Sequence, residues 1–233
     1  MNIKNGIVLI FSGLLTFSCA PKKQIQETAS VENIIEEEEE EPAMRKHYNP
    51  SEKRVNDLLH TKLKVSFDWE NQQLNGEAYL TLKPYFYATD SLTLDAKAMD
   101  IHSVRENDEQ AMELAYTYDG QFLRIKLPKE YNQTEQYNIY IKYTAKPEEV
   151  KQEGSSAISD AKGLYFINPD GADKNKHMEI WTQGETEASS AWFPTIDSPN
   201  EKTTEEIYIT VQDKYTTLSN GLLVESTPNE NGT

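Results

Sequence analysis

The chain has 233 residues with 39 acidic and 23 basic side chains, a formal net charge of −16, and 37% hydrophobic residues. That acidity, with no basic stripe to offset it, excludes a nucleic-acid partner, whose phosphates would be repelled. The length allows one sizeable domain or two small ones, and a single cysteine, Cys19, excludes an intrachain disulfide.

In chain order, the first segment has the layout of a secretory signal: Lys4, the greasy run Ile7 to Phe17, and the small residue Ser18. The run is too short for a bilayer span, which takes about 20 apolar residues. Cys19 directly after it resembles the lipobox of bacterial lipoproteins, which implies that residues 1–19 are a lipoprotein signal peptide with Cys19 as the lipid attachment point. Residues 20–44 include six consecutive glutamates, Glu36 to Glu41, and like charges at that density bury nothing, so an acidic disordered tether is expected. The segment could collect calcium only if a turn fixed its carboxylates, and it has no glycine for one.

From residue 45 the pattern becomes that of a folded domain. Val55 to His60 fits either a helical turn or a strand start. Leu63, Val65, Phe67 and Trp69 alternate with polar residues as in a half-buried strand, Asn71 to Gly76 reads as a turn, and Ala78, Leu80 and Leu82 alternate again before Pro84. Further strands are expected at Leu92 and Leu94, at Ile101 and Val104, from Met112 to Tyr118, from Phe122 to Leu127 and from Tyr137 to Tyr143. Asp119-Gly120 supplies a tight turn between two of them. Lys146 to Lys162 reads as a polar excursion with no anchoring aromatic. Strands at Gly163 to Ile167, Met178 to Trp181 and Ile207 to Val211 follow, with Leu222 to Val224 as a last apolar group. With no helical period of ten residues or more, the fold class is all-β, an antiparallel sandwich.

The stretch Trp181 to Pro199 stops alternating, and Pro194 and Pro199 remove ladder donors, so it is a loop. Its two Trp, a Phe and an Ile suit a loop packed on something large. Within it, Thr182-Gln183-Gly184-Glu185 and Phe193-Pro194-Thr195-Ile196-Asp197-Ser198-Pro199 resemble paired motifs of the aminopeptidase N and leukotriene hydrolase type of zinc metallopeptidase. Members of that family usually have a Cys, an aromatic and a Glu at the positions of Thr195, Ile196 and Ser198.

The resemblance implies a saddle-like N-terminal β-sandwich domain over residues 45–233, incomplete at its C-terminal end. It also implies that Gln183 and Glu185 are substrate-binding contacts to the first residue of a peptide and its α-amine. Gly184 between them leaves room for close approach. Phe193, Pro194, Asp197 and Pro199 read as a structural loop, Asp197 accepting hydrogen bonds from its own loop. In this family, zinc belongs to a following domain that carries His-Glu-x-x-His, a spacing that puts two imidazoles on one helical face. His47, His60, His102 and His177 offer no such spacing. No catalytic residue, metal ligand or bound cofactor is therefore expected in this chain, and zinc is expected in the missing catalytic domain.

Two functions follow. In the first, the chain is the substrate-wall domain of a lipid-anchored aminopeptidase of the bacterial cell envelope. Its partners are then a peptide N-terminus, the missing catalytic domain and a membrane, and as a fragment it is inactive alone. In the second, it is a free-standing, membrane-tethered binding module whose 13 Tyr, 7 Phe and 3 Trp line a contact surface. The paired motifs discriminate between them, because a generic sandwich has no reason to carry both.

Overall fold

The computed structural model describes residues 53–151 and 161–233. The signal segment, Cys19, the acidic tether, His47 and the centre of the Lys146 to Lys162 loop lie outside the described residues. The chain divides into Met1–Pro50 and Ser51–Thr233, and only the second unit is described.

Its described residues form ten strands. They are β1 (Asn56–Asp68), β2 (Gln73–Pro84), β3 (Thr89–Asp95), β4 (Met99–Glu106), β5 (Tyr116–Tyr118), β6 (Phe122–Tyr131), β7 (Tyr137–Ala145), β8 (Leu164–Ile167), β9 (Glu179–Thr182) and β10 (Thr204–Thr210). They pair as a five-stranded sheet in the order β10-β1-β2-β7-β4, a three-stranded sheet β3-β6-β5 and a two-stranded sheet β8-β9. Period-two alternation is the cause: Leu63, Val65, Leu74, Ala78, Leu80 and Leu82 turn inward from β1 and β2, while Lys62, Lys64 and Tyr79 line the other face. Leu92 and Leu94 of β3 and Leu123, Ile125 and Leu127 of β6 meet them in one core with Ile139, Ile141 and Tyr143 of β7. Each fully buried aliphatic side chain contributes about 1.5–3 kcal/mol, so the two larger sheets are held face to face mainly by apolar burial.

The all-β sandwich expected from the sequence is the observed fold, with four local differences. Val55 to His60 resolves as the first part of β1 apart from Val55 itself. Gly76 is not in a turn: it sits within β2 opposite Tyr143, and a Cβ there would stand 2.2 Å from the Tyr143 Cζ. The glycine is needed for a buried ring, not for chain reversal. The Met112 to Tyr118 strand shrinks to β5, because Met112 is 67% exposed and only an isolated bridge joins Glu113 to Arg105. Last, β10 pairs with β1 in parallel, His60 opposite Thr204 through Ser66 opposite Thr210. Alternation cannot distinguish parallel from antiparallel pairing, and the long return over β2 to β9 permits either. Leu222 to Val224 form no strand, and all three are exposed.

Candidate functional site

The hairpin β8-β9 carries the loop of interest. Leu164 and Phe166 point inward, and the Phe166 ring lies edge-on to Phe67 and Trp69 at 6.4 and 5.8 Å between centroids. On the opposite face Tyr165 stacks on Trp181 at 4.4 Å and 12°. The hairpin is thereby gripped at the β1–β2 turn end of the sandwich. Gly163 opens it at φ +73°, and a Cβ there would lie 2.0 Å from the Ala188 carbonyl oxygen, so only glycine fits.

Gln183 extends β9 by one bond, its N–H donating to the Gly163 carbonyl at 2.9 Å. The chain then turns, Ala188 N–H donating to the Gly184 carbonyl at 3.0 Å, into a short 3-10 turn at Ser189–Ala191. A Cβ on Gly184 would stand 2.6 Å from Ser189 Oγ. The close approach that glycine permits is thus made first to its own loop. Gln183 is half-buried and Glu185 exposed. Among the described residues, neither side chain has a hydrogen-bond or ion-pair partner.

Behind them the loop is stapled to the turn between β3 and β4. Asp95 N–H donates to the Thr195 carbonyl at 2.8 Å, and Thr195 N–H returns a bond to the Asp95 carbonyl at 3.0 Å. Lys97 N–H donates to the Ser190 carbonyl at 2.8 Å, and its ammonium caps the Glu187 carbonyl. Phe193 and Thr195 are each 5% exposed and Pro194 is buried, whereas Pro199 is exposed. The Asp197 carboxylate accepts Ser190 N–H at 2.8 Å, while its own N–H donates to the Asp95 carboxylate at 2.9 Å. Burial pushes the Asp197 carboxyl upward, Asp95 adds to that, and the Ser190 N–H and Lys97 oppose it. Asp95 and Lys97 were not picked out from the sequence. They lie about a hundred residues upstream, and nothing in their local pattern marks them.

This arrangement offers an unpaired carboxylate and a carboxamide at the exit of a braced strand, which can accept hydrogen bonds from an ammonium group. Among the described residues, no three His, Cys, Asp or Glu side chains could hold a metal ion. His60 contacts Thr204 Oγ1, His102 contacts Thr144 Oγ1, and His177 is exposed. A shallow open depression of about 380 Å³ lies on the outer face of the five-stranded sheet, between Lys64, Glu77, His102 and Lys142, and neither Gln183 nor Glu185 lines it.

A β-sandwich with a core-braced Thr-Gln-x-Glu strand exit is the class of protein that fold and loop define. Residues 45–233 match the peptidase M1 N-terminal domain, and the chain belongs to that family. Among solved structures it is similar to a two-domain M1 zinc metallopeptidase bound to L-arginine, at 18% identity and a TM-score of 0.63, covering 77% of this chain and 38% of that one. The M1 zinc metallopeptidase from Deinococcus radiodurans aligns at 18% identity and a TM-score of 0.61 over the same shares. Leukotriene A4 hydrolase from Saccharomyces cerevisiae aligns at 19% identity and a TM-score of 0.53, covering 72% of this chain and 26% of that one. At these identities the likeness is one of fold, and the chain spans well under half the length of each.

Proposed function

We propose that this chain is the substrate-wall domain of a zinc-dependent aminopeptidase, in which Gln183 and Glu185 hold the first residue of a peptide. The observation that carries this reading is Glu185. It is exposed and, among the described residues, without a partner, two residues beyond the backbone position fixed by the Gly163–Gln183 bond and inside the Thr182 to Glu185 motif. A carboxylate so placed pairs with an α-ammonium and discriminates against an acylated N-terminus, whose neutral nitrogen would leave it unpaired. Gln183 supplies a donor and an acceptor for the same residue's backbone. Neither group activates water. The described residues do not fit a zinc site, so hydrolysis is assigned to a catalytic domain outside this chain.

The free edge of β10 and the exposure of Leu218, Leu222, Leu223 and Val224 suit a surface that meets such a domain. By the same reading Cys19 carries a lipid that holds the protein in the bacterial cell envelope, with residues 20–44 as the tether. The test is zinc content and turnover of an aminoacyl chromogenic substrate, measured on one sample of the purified chain. Absence of both is expected. Turnover with stoichiometric zinc would overturn the assignment of roles.

A further inference from the structure

The β2–β3 connection exposes an aromatic tip that the substrate-wall reading does not use. Phe86 is 65% and Tyr87 76% exposed, and Val55 beside them is 45% exposed. The tip is a built feature. Tyr85 N–H donates to the Val55 carbonyl at 2.9 Å, the Tyr85 and Phe86 rings meet edge-on at 4.4 Å, and the Arg54 guanidinium lies 4.1 Å over the Tyr85 ring. Arg54 is held in turn by Asp57 and Glu201 at 2.8 and 2.6 Å, and Lys83 lies 3.5 Å from Asp57. Lys53, over the Tyr87 ring at 5.8 Å, has no ion-pair partner among the described residues. Exposed apolar rings thus stand together with cations, of which Lys53 is exposed and Arg54 half-buried.

The position of the tip is as informative as its composition. The β1–β2 ladder runs from Asn56 opposite Pro84 to Asp68 opposite Gln73, about 40 Å at about 3.3 Å per residue. The tip is at the first end. The loop bearing Gln183 and Glu185 is seated at the other, against Trp69 through Phe166 and against the Asp95 to Lys97 turn. Lys53, the first of the described residues, lies beside the tip.

We infer that Phe86 and Tyr87 insert into the interfacial layer of a phospholipid bilayer, so that the domain stands on the membrane with Gln183 and Glu185 at its far end. Tyr and Phe beside lysine is the composition that partitions to the boundary between headgroups and acyl chains, the rings taking the apolar side and the ammonium the phosphate side. Two side chains on a loop offer far less than the about 800 Å² that each partner of a stable protein interface buries, which favours a bilayer over a second protein. Asp57 and Glu201 offset two of the three cations, so attraction to anionic lipid is small and ring insertion carries the contact.

The test uses the full chain with Cys19→Ser, which removes its only thiol, and a single new cysteine for a polarity-sensitive fluorophore at Ala88→Cys or Asn71→Cys. Both sites are exposed, one beside the tip and one at the β1–β2 turn. With vesicles of phosphatidylethanolamine and phosphatidylglycerol at three to one, the probe at 88 shifts to the blue and is quenched severalfold by a lipid-borne nitroxide. The probe at 71 is unchanged. Adding Phe86→Ser and Tyr87→Ser abolishes the response at 88. The run Ile7 to Phe17 can hold the chain on vesicles by itself, but only insertion of the tip gives this positional difference. A probe at 88 that stays in water, equal responses at both sites, no vesicle association, or a shift that follows protein concentration without lipid would each overturn the inference. Because Cys19 is replaced, the result is separate from the lipid-anchor reading, and because no substrate is involved it is separate from the role of Glu185.

Discussion

The Asp197 carboxylate accepts the Ser190 backbone N–H at 2.8 Å, closing the loop that begins at Glu185 back onto itself. Asp197→Ala removes that acceptor and leaves a part-buried N–H unpaired, and denaturant unfolding is expected to show a loss of about 1–3 kcal/mol. Asp197→Asn keeps an acceptor and loses less. Because burial raises this carboxyl above its ordinary 3.8, the native state holds the proton more tightly than the unfolded chain. Its contribution is therefore complete below 3.8 and is lost as pH rises through the raised folded value. Asp197→Asn flattens that part of the stability profile.

The opposite sign holds at the β5–β6 turn. Asp119 bonds Arg124 at 2.6 Å and accepts the Phe122 and Gln121 N–H groups, and these interactions, Arg124 first, hold its carboxyl down at about 2. The stabilisation is present above 3.8 and is lost as pH falls toward about 2. Carboxyl-carbon NMR should place the midpoint near that lower value, and Arg124→Ala should move it upward.

Gly76 and Tyr143 are a coupled pair. Gly76→Ala puts a methyl group inside the Tyr143 ring envelope and is expected to cost about 3 kcal/mol. In a Tyr143→Leu background the same change costs under about 1 kcal/mol, so a double-mutant cycle gives a large coupling term. Tyr143 is 1% exposed and its hydroxyl lacks a hydrogen-bond partner among the described residues. Tyr143→Phe should leave thermal stability unchanged or raise it, since an orphaned hydroxyl disappears.

The two glycines of the site should respond differently to alanine. Gly163→Ala meets a backbone carbonyl at 2.0 Å in a positive-φ conformation, while Gly184→Ala meets only the movable Ser189 hydroxyl at 2.6 Å. The first should cost about 2–3 kcal/mol and increase hydrogen exchange at Gln183. The second should cost about 1 kcal/mol or less and leave that amide protected.

The strands were legible because alternation such as Leu80, Leu82 or Ile139, Ile141 reports a face directly. The Trp181 to Pro199 loop was legible because its prolines and aromatics break that alternation. Pairing was not. The parallel contact of β10 with β1 depends on a return path that no local pattern encodes. Gly76 was misplaced as a turn residue because a glycine in a strand and a glycine in a reversal look alike until the partner, Tyr143, is known. In the candidate site, Gln183 and Glu185 stand out in the sequence by their motif, but the brace behind them does not, since Asp95 and Lys97 enter through tertiary contacts. Nor does the sequence show that a Cβ on Gly184 would meet Ser189 Oγ, a contact made within the loop itself.

The most direct test of Gln183 and Glu185 as the substrate-facing pair is an NMR titration of the chain with dialanine amide and, in parallel, with its N-acetyl form. Shifts of the amide signals of Gln183, Gly184 and Glu185 with the free amine, absent with the acetylated peptide and in Glu185→Gln, are the predicted result. Equal shifts with both peptides, or shifts confined to other residues, would contradict it.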